Sequence, residues 1–354
     1  MNRIAFLTTI SYPSTLANRI HVREMCRAFI NHGLQVSFFS ENADKDNFLD
    51  YPSLTFYNQE GNLLKRAVSY VRSLKKLNEC DVWYCREPRL LFLVLILSFM
   101  YRIKIPYVVF EIHDESRAFF DRLILILFRL NHKFVIIAIT EELSTWLKNK
   151  YNYLENHILV LADGVSSEMF KVESQPDKDG HILYTGSLYA WKGVYTLVDA
   201  ARLLPENDFI IVGGNDNDIK SLKKYANGIS NVDIVGYVPH EEISIFYKGA
   251  AIVVLPNSSD HEMSRLYTSP LKLFEYMASG IPIVASNLPS LKEVLREDTV
   301  EFADPDNATS LSKAFKKVLN DYNKAMDKAS LAKIEVKQFS WNQRVSKIMN
   351  HINI

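Results

Sequence analysis

The residues best placed to do chemistry in this chain fall in three short stretches. In Tyr184-Thr-Gly-Ser-Leu-Tyr-Ala-Trp-Lys192-Gly-Val-Tyr-Thr-Leu197 a strand ends, Gly186-Ser187 makes a tight turn, and a helix opens just after Lys192-Gly193. A helix start offers unpaired N–H groups and the positive end of a dipole, and a lysine beside it adds a full charge. That combination suits a diphosphate, although by itself it also reads as a surface lysine near an ordinary helix start. In the second stretch, Ser269, Pro270, Leu271 and Lys272 lead into a helix that carries Glu275 among the apolar residues Leu273–Met277, and Gly280 ends it. A carboxylate in that setting is costly without a partner, and two ribose hydroxyls would serve both of its oxygens. The bland alternative is a glutamate on a solvated face. The third stretch is Phe110-Glu-Ile-His113-Asp114, a histidine just past a strongly apolar strand and beside Glu111, Asp114 and Glu115. Neighbouring carboxylates help such a histidine keep its proton, and the carboxyl end of a strand is where open parallel sheets bind ligands.

Alternating strand and helix signals must position these residues, the pattern of a parallel sheet with helices on both faces. Arg3–Thr9, Gln35–Ser40, Asp81–Cys85, Tyr107–Ile112, Phe134–Ile139 and Ile158–Leu161 read as strands in the first half, with helices over His21–His32 and, after Thr140 as N-cap, Glu141–Lys150. The polar stretch from Lys171 to Gly180 has linker composition. Beyond it the alternation restarts at His181–Thr185 and runs to a long helical stretch over Ser310–Lys333. The expected division is a first domain over residues 1–165, a linker over 166–180 and a second domain over 181–340. Trp341, Val345 and Met349 have helical spacing.

With 354 residues, 48% hydrophobic and 23% charged, the chain has material for two cores and is not a disordered polymer. Forty-one basic residues balance 41 acidic ones, so nucleic acid is not an expected partner. Cys26, Cys80 and Cys85 are an odd number without metal-ligand spacing and read as free thiols of a reducing cytosol. The run Leu90 to Tyr101, apolar but for Ser98, is too short to span a bilayer, which takes about 20 such residues. It is closed by Arg102 and Lys104, and a second run, Leu123–Phe128, sits between Arg122 and Arg129. Each reads as a core helix first and as a membrane-surface helix second. A dinucleotide-binding dehydrogenase is excluded, because no glycine follows the first strand until Gly33.

Taken together, these stretches resemble glycosyltransferase family 4. The resemblance rests on Tyr12-Pro13 before a helix with His21-Val22, Phe110–Asp114, Ile136–Thr140 and Asp163-Gly164-Val165 to Phe170. It continues through Gly186…Lys192-Gly193, Ile211–Gly214, Val235–Val238, the Glu275 helix and Phe339-Ser-Trp341. It implies a GT-B fold, α/β throughout, with two Rossmann-like doubly wound parallel-sheet domains facing a central cleft and, with the helical spacing of Trp341, Val345 and Met349, a C-terminal segment 341–354 that rejoins the first domain. It also implies a retaining hexosyltransferase that takes a sugar from a UDP- or GDP-linked donor, with no cofactor and no obligatory metal. Lys192 would then contact the donor diphosphate with Gly186 and Ser187 nearby, Glu275 the ribose, the backbone at Tyr237 and Val238 the base, and His113 the transferred sugar. Where the family often has a second glutamate stands Tyr267, and where many members have an arginine stands Ser187. Lys272 and Ser269 are the residues here that could make good that loss. The acceptor implied is a lipid-linked glycan or surface polysaccharide precursor, and the place the cytoplasm, with peripheral contact at the membrane face. A non-catalytic partner subunit or a sugar-nucleotide epimerase of the same fold are the alternatives.

Overall fold

The computed structural model describes residues 3–11, 18–42, 51–59, 63–114, 119–129, 133–166 and 174–352; Tyr12, Pro13, Glu115, Phe170 and Lys171 lie outside them. The chain divides into two compact units, Met1–Ala162 with Trp341–Ile354, and Asp163–Ser340.

Unit 1 is built on seven strands: β1 (Arg3–Leu7), β2 (Gln35–Ser40), β3 (Leu54–Asn58), β4 (Val82–Cys85), β5 (Tyr107–Ile112), β6 (Phe134–Ala138) and β7 (Ile158–Val160). They pair in the order β3-β2-β1-β4-β5-β6-β7, and every pairing is parallel. Strands β4 and β6 are buried along their whole length, as helices on both faces of a parallel sheet require. Strand β3 and the helix Leu63–Asn78 have no counterpart in the sequence reading. β3 is an edge strand with a mixed burial pattern, so its apolar signal is weak.

The first apolar run forms the helix Pro88–Met100, which opens on a proline whose missing N–H costs nothing there. It buries Leu90, Leu91, Val94, Leu95 and Leu97, and its buried polar residue, Ser98, donates to the carbonyl of Val94 at 2.8 Å. The core reading holds for most of this helix, while Phe99, Met100 and Tyr101 at its end are exposed. It packs on the helix Phe119–Phe128, which contains the second run. Among the described residues no helix is long and apolar enough to cross a membrane. The last helix, Trp341–His351, packs in unit 1 against Asn18–Asn31 and buries Trp341, Arg344, Val345, Ile348 and Met349.

Unit 2 holds six strands: β8 (His181–Thr185), β9 (Phe209–Val212), β10 (Val232–Gly236), β11 (Ala250–Leu255), β12 (Ile283–Ser286) and β13 (Glu301–Ala303). Their order is β10-β9-β8-β11-β12-β13, again parallel throughout. The order reverses between β8 and β11, and open parallel sheets bind ligands beyond the carboxyl ends of the strands at such a reversal. The helical stretch expected over 310–333 is formed by two helices, Ala308–Asn320 and Tyr322–Glu335, because Asp321 leaves the helical conformation. Residues 174–180, linker-like in composition, belong to unit 2. Ser174 is buried there, donating to the carbonyl of Ser279 at 2.8 Å and accepting on its own carbonyl from Gly249.

Candidate functional site

In unit 2 the helix Leu271–Ser279 runs behind the carboxyl end of β8 and is buried from Lys272 to Ser279. Tyr276 fastens it there: its hydroxyl oxygen accepts from the Thr185 N–H at 2.8 Å. The side chains one and four residues earlier, Glu275 and Lys272, are thereby carried to the strand end. Lys272 is 8% exposed, and its ammonium stands 3.6 Å from the centre of the Tyr184 ring. That nitrogen has no hydrogen-bond partner among the described residues. Gly186 lies against it, since a Cβ there would come within 3.5 Å of Nζ. The turn at Ser187 is held by the Tyr184 hydroxyl, which donates to the Ser187 carbonyl at 2.6 Å.

Lys192 closes a short 3-10 turn directly ahead of the helix Val194–Arg202, its ammonium 3.9 Å from the centre of the Trp191 ring. Gly193 between them has φ +75°, and a Cβ there would fall 1.7 Å from the carbonyl oxygen of Pro256. Only glycine lets this helix start sit so close to the end of β11. Burial is the first cause that pushes the Lys272 ammonium well below the usual lysine range, and the charge of Lys192 pushes the same way, opposed by Glu275. Burial likewise lowers Lys192, to about 7. Two lysine nitrogens that repel across a site, one of them without a hydrogen-bond partner, favour an anion between them.

Glu275 is buried, so the solvated-face alternative falls. Its Oε1 lies 2.7 Å from Nε2 of His240 in the short turn after β10, a partner that sequence reasoning missed. The only local signal was a histidine four residues beyond a strand-ending glycine, which is weak. Tyr237 and Val238 leave the same strand end, Tyr237 half exposed. Ser269 precedes the helix, and its Oγ accepts from the Asp163 N–H at 2.9 Å, which leaves its own proton to donate. Gly186, Lys272 and Glu275 therefore stand together on one side of the site, with Lys192 near enough to act on Lys272. Tyr237 and Val238 lie just before His240 in the chain, the residue that reaches Glu275. Tyr267, at the position of the absent glutamate, is buried.

His113 belongs to unit 1, just past β5, with its side chain 27% exposed and Nε2 2.6 Å from Oε1 of Glu111. Burial alone would raise the Glu111 carboxyl, yet the charges of His21 and Arg344 and the bond from His113 hold it well below the ordinary carboxylate range. Arg86, past β4, has a buried Nη1 with no hydrogen-bond partner among the described residues.

Residues 165–333 match the family described as Glycosyl transferases group 1. Unit 2 thus contains a group 1 glycosyl transferase domain. The relatives agree with it. An O-antigen chain mannosyltransferase B of Escherichia coli is 27% identical over 179 residues, 48% of this chain and 45% of that protein. An amylovoran biosynthesis glycosyltransferase of Erwinia amylovora is 27% identical over 153 residues, 40% of this chain and 37% of that protein. The chain spans about half the length of the curated relatives it matches. Among solved structures, Anabaena Alr3699/HepE in complex with UDP superposes with a TM-score of 0.75 at 16% identity, covering 99% of this chain and 100% of that one. A sucrose-phosphate synthase from Thermosynechococcus elongatus gives 0.74 at 18% identity, covering 100% and 99%. At such identities the likeness is one of fold, and that fold is GT-B.

The glycosyl transferase domain has a pH signature that follows from Lys192. An anion beside its ammonium favours the charged form, so the lysine titrates higher in the complex than at its unliganded value of about 7. Were a nucleoside diphosphate to bind beside Lys192, it would take up a proton, and its affinity would fall as pH rises from about 7 toward 9. Calorimetry in two buffers of different ionisation enthalpy reads the uptake directly. The unliganded protein shows the opposite trend. Its folded-state lysine is depressed relative to the unfolded chain, so this residue's contribution to stability improves as pH rises from about 7 toward 10.5.

Proposed function

We propose that the chain is a retaining glycosyltransferase that moves a sugar from a nucleoside diphosphate donor to a hydroxyl of a lipid-linked glycan or surface polysaccharide precursor. The observation that carries this reading is the buried Lys272 ammonium without a hydrogen-bond partner, facing Gly186, Lys192 and Glu275. A diphosphate supplies the missing counter-charge, the helix start at Gly193 offers N–H groups to it, and Glu275 beside it is placed for ribose hydroxyls. The base then lies on the backbone at Tyr237 and Val238, and Ser269 donates to a phosphate oxygen. Anabaena Alr3699/HepE, of the same fold, was solved with UDP and with UDP and glucose. The relatives in O-antigen and amylovoran synthesis support a polysaccharide acceptor.

In the reaction the bond from the anomeric carbon to the diphosphate breaks and a bond to the acceptor oxygen forms on the same face. The acceptor proton leaves with the departing phosphate oxygen. Lys192 and Lys272 stabilise the charge that gathers on that leaving group, which is the work a metal would otherwise do, so no metal is required. His113 is the residue assigned to the transferred sugar. Exposed Phe99, Met100 and Tyr101, with exposed Arg102 and Lys104 after them, support contact with an anionic membrane surface.

The test is a binding panel of UDP, GDP, their sugars and the bare nucleosides, followed by donor turnover in chelator. A true ligand at a hundred times its Kd raises stability by about 2.7 kcal/mol. We expect one diphosphate to bind in chelator, its bare nucleoside to bind far more weakly, and the donor sugar to be released with its anomeric configuration kept. Binding without any turnover, alone or with acceptor, would favour a non-catalytic partner subunit instead.

A further inference from the structure

Among the described residues Glu111 gathers four partners in unit 1, His21, Tyr84, His113 and Arg344. It sits near the end of β5, and its carboxylate is fully buried. Oε1 takes His113 Nε2 at 2.6 Å and has His21 Nε2 at 3.0 Å. Oε2 accepts from the Tyr84 hydroxyl and from Arg344 Nη2, the latter at 2.8 Å. Arg344 comes from the last helix of the chain and is itself 3% exposed. Its other guanidinium nitrogen, Nη1, donates to the carbonyls of Leu161, at 2.5 Å, and Ala162, the residues that follow β7. Trp341 of the same helix stands edge-on to the His21 ring, with centres 5.1 Å apart.

A carboxylate can only accept, so the His113 nitrogen that faces it must carry the proton. Nδ1 is then the ring nitrogen left for a ligand, an acceptor for a hydroxyl proton. The charges around Glu111 matter for the same reason. With Arg344 bound to Oε2, the carboxylate already has a full positive partner.

We propose that Glu111 and Arg344 are a positioning pair that holds His113 in the Nε2–H tautomer, with Nδ1 presented to a hydroxyl of the sugar. The C-terminal helix is thus part of the reaction machinery, although it touches no substrate. This rests on the assignment of His113 to the transferred sugar given above.

Histidine-selective nitrogen-15 spectra, with His113 assigned by its loss in His113→Gln, read the tautomer without any substrate. In the parent protein His113 shows a protonated Nε2 and a bare Nδ1. In Glu111→Gln the carboxamide can donate as well as accept, so the ring takes both forms, and turnover falls about a hundredfold, the scale of a misplaced reacting group. Affinity for UDP or GDP, which reports on unit 2, stays as in the parent. Because Glu111→Gln leaves Arg344 without its charge partner, the double variant Glu111→Leu/Arg344→Met serves if the single one does not fold. It removes the pair together and leaves His113 no acceptor, so the same tautomer loss and the same turnover loss are expected. Arg344→Lys should restore part of the turnover that Arg344→Met loses. A folded variant that keeps a single Nε2–H form of His113, or that turns over like the parent, overturns the proposal. Failure of the His113 assignment shows separately, as unchanged turnover in His113→Gln, and there the tautomer spectrum still decides the pairing.

Discussion

Lys272→Met will lose nucleoside diphosphate affinity and gain stability at once. The ammonium is buried over the Tyr184 ring without a hydrogen-bond partner, so in the unliganded protein its desolvation is only partly offset, by that ring and by Glu275. Methionine has nearly the same length and leaves no cavity, and the melting temperature of the unliganded variant should rise. In the complex the same ammonium makes a charge-assisted contact worth about 1.5–3 kcal/mol, so UDP or GDP should bind roughly ten- to a hundredfold more weakly. The bare nucleoside should bind almost as before. Lys192→Ala should show the same affinity loss with a smaller gain in stability, because its side chain is only partly covered. Calorimetric titration of both variants with diphosphate and nucleoside checks this. If Lys272→Met binds the diphosphate like the parent, the second lysine does not make up for the arginine that Ser187 replaces. The departures at Ser187 and Tyr267 would then favour the non-catalytic reading.

The second large effect concerns the fold of unit 1. Glu111→Ala removes the charge partner of Arg344 and the acceptor of Tyr84 and His113 in one step. Breaking a buried ion pair from one side costs about 3–5 kcal/mol, because the remaining charge is left uncompensated. Removing both charges together is expected to cost much less, so Glu111→Leu/Arg344→Met should be the more stable of the two variants. A chain of two units does not unfold as one cooperative body, so amide hydrogen exchange along β5 is the measurement to use. Protection of β5 in Glu111→Ala equal to that of the parent would show that the buried pair adds nothing to the stability of this sheet.

Much of this protein was legible in the order of its residues. Chain-local rules suffice for the strands at 35–40, 107–112 and 181–185, which the structure returns at the same bounds. The cap at Thr140 is as local, its Oγ1 accepting from Leu143 N–H at 3.2 Å. The turn at Lys192-Gly193 belongs with them, since glycine and a following apolar period mark a helix start wherever they occur. Glu275 could be singled out because a carboxylate inside an apolar period needs a partner.

What the partner is could not be read. His240 is 35 residues from Glu275 along the chain, and Arg344 is 233 from Glu111. Pairs of that kind are created by strand order and by which helix crosses which strand end, and neither leaves a mark in local composition. Strand β3 escaped for the opposite reason, as an edge strand carries too little buried apolar surface to impose a clear period, whereas the helix Leu63–Asn78, which buries Tyr70, Leu74 and Leu77 at helical spacing, did carry a local signal that went unread. The sequence by itself therefore determined two parallel sheets and the residue types able to meet a diphosphate and a sugar. Only the tertiary structure decided that Lys272 would lie buried without a bonded partner, and that the chain's last helix would hold the carboxylate that orients His113. Burial and long-range pairing are properties of the packed whole, whereas propensity and periodicity belong to neighbours along the chain.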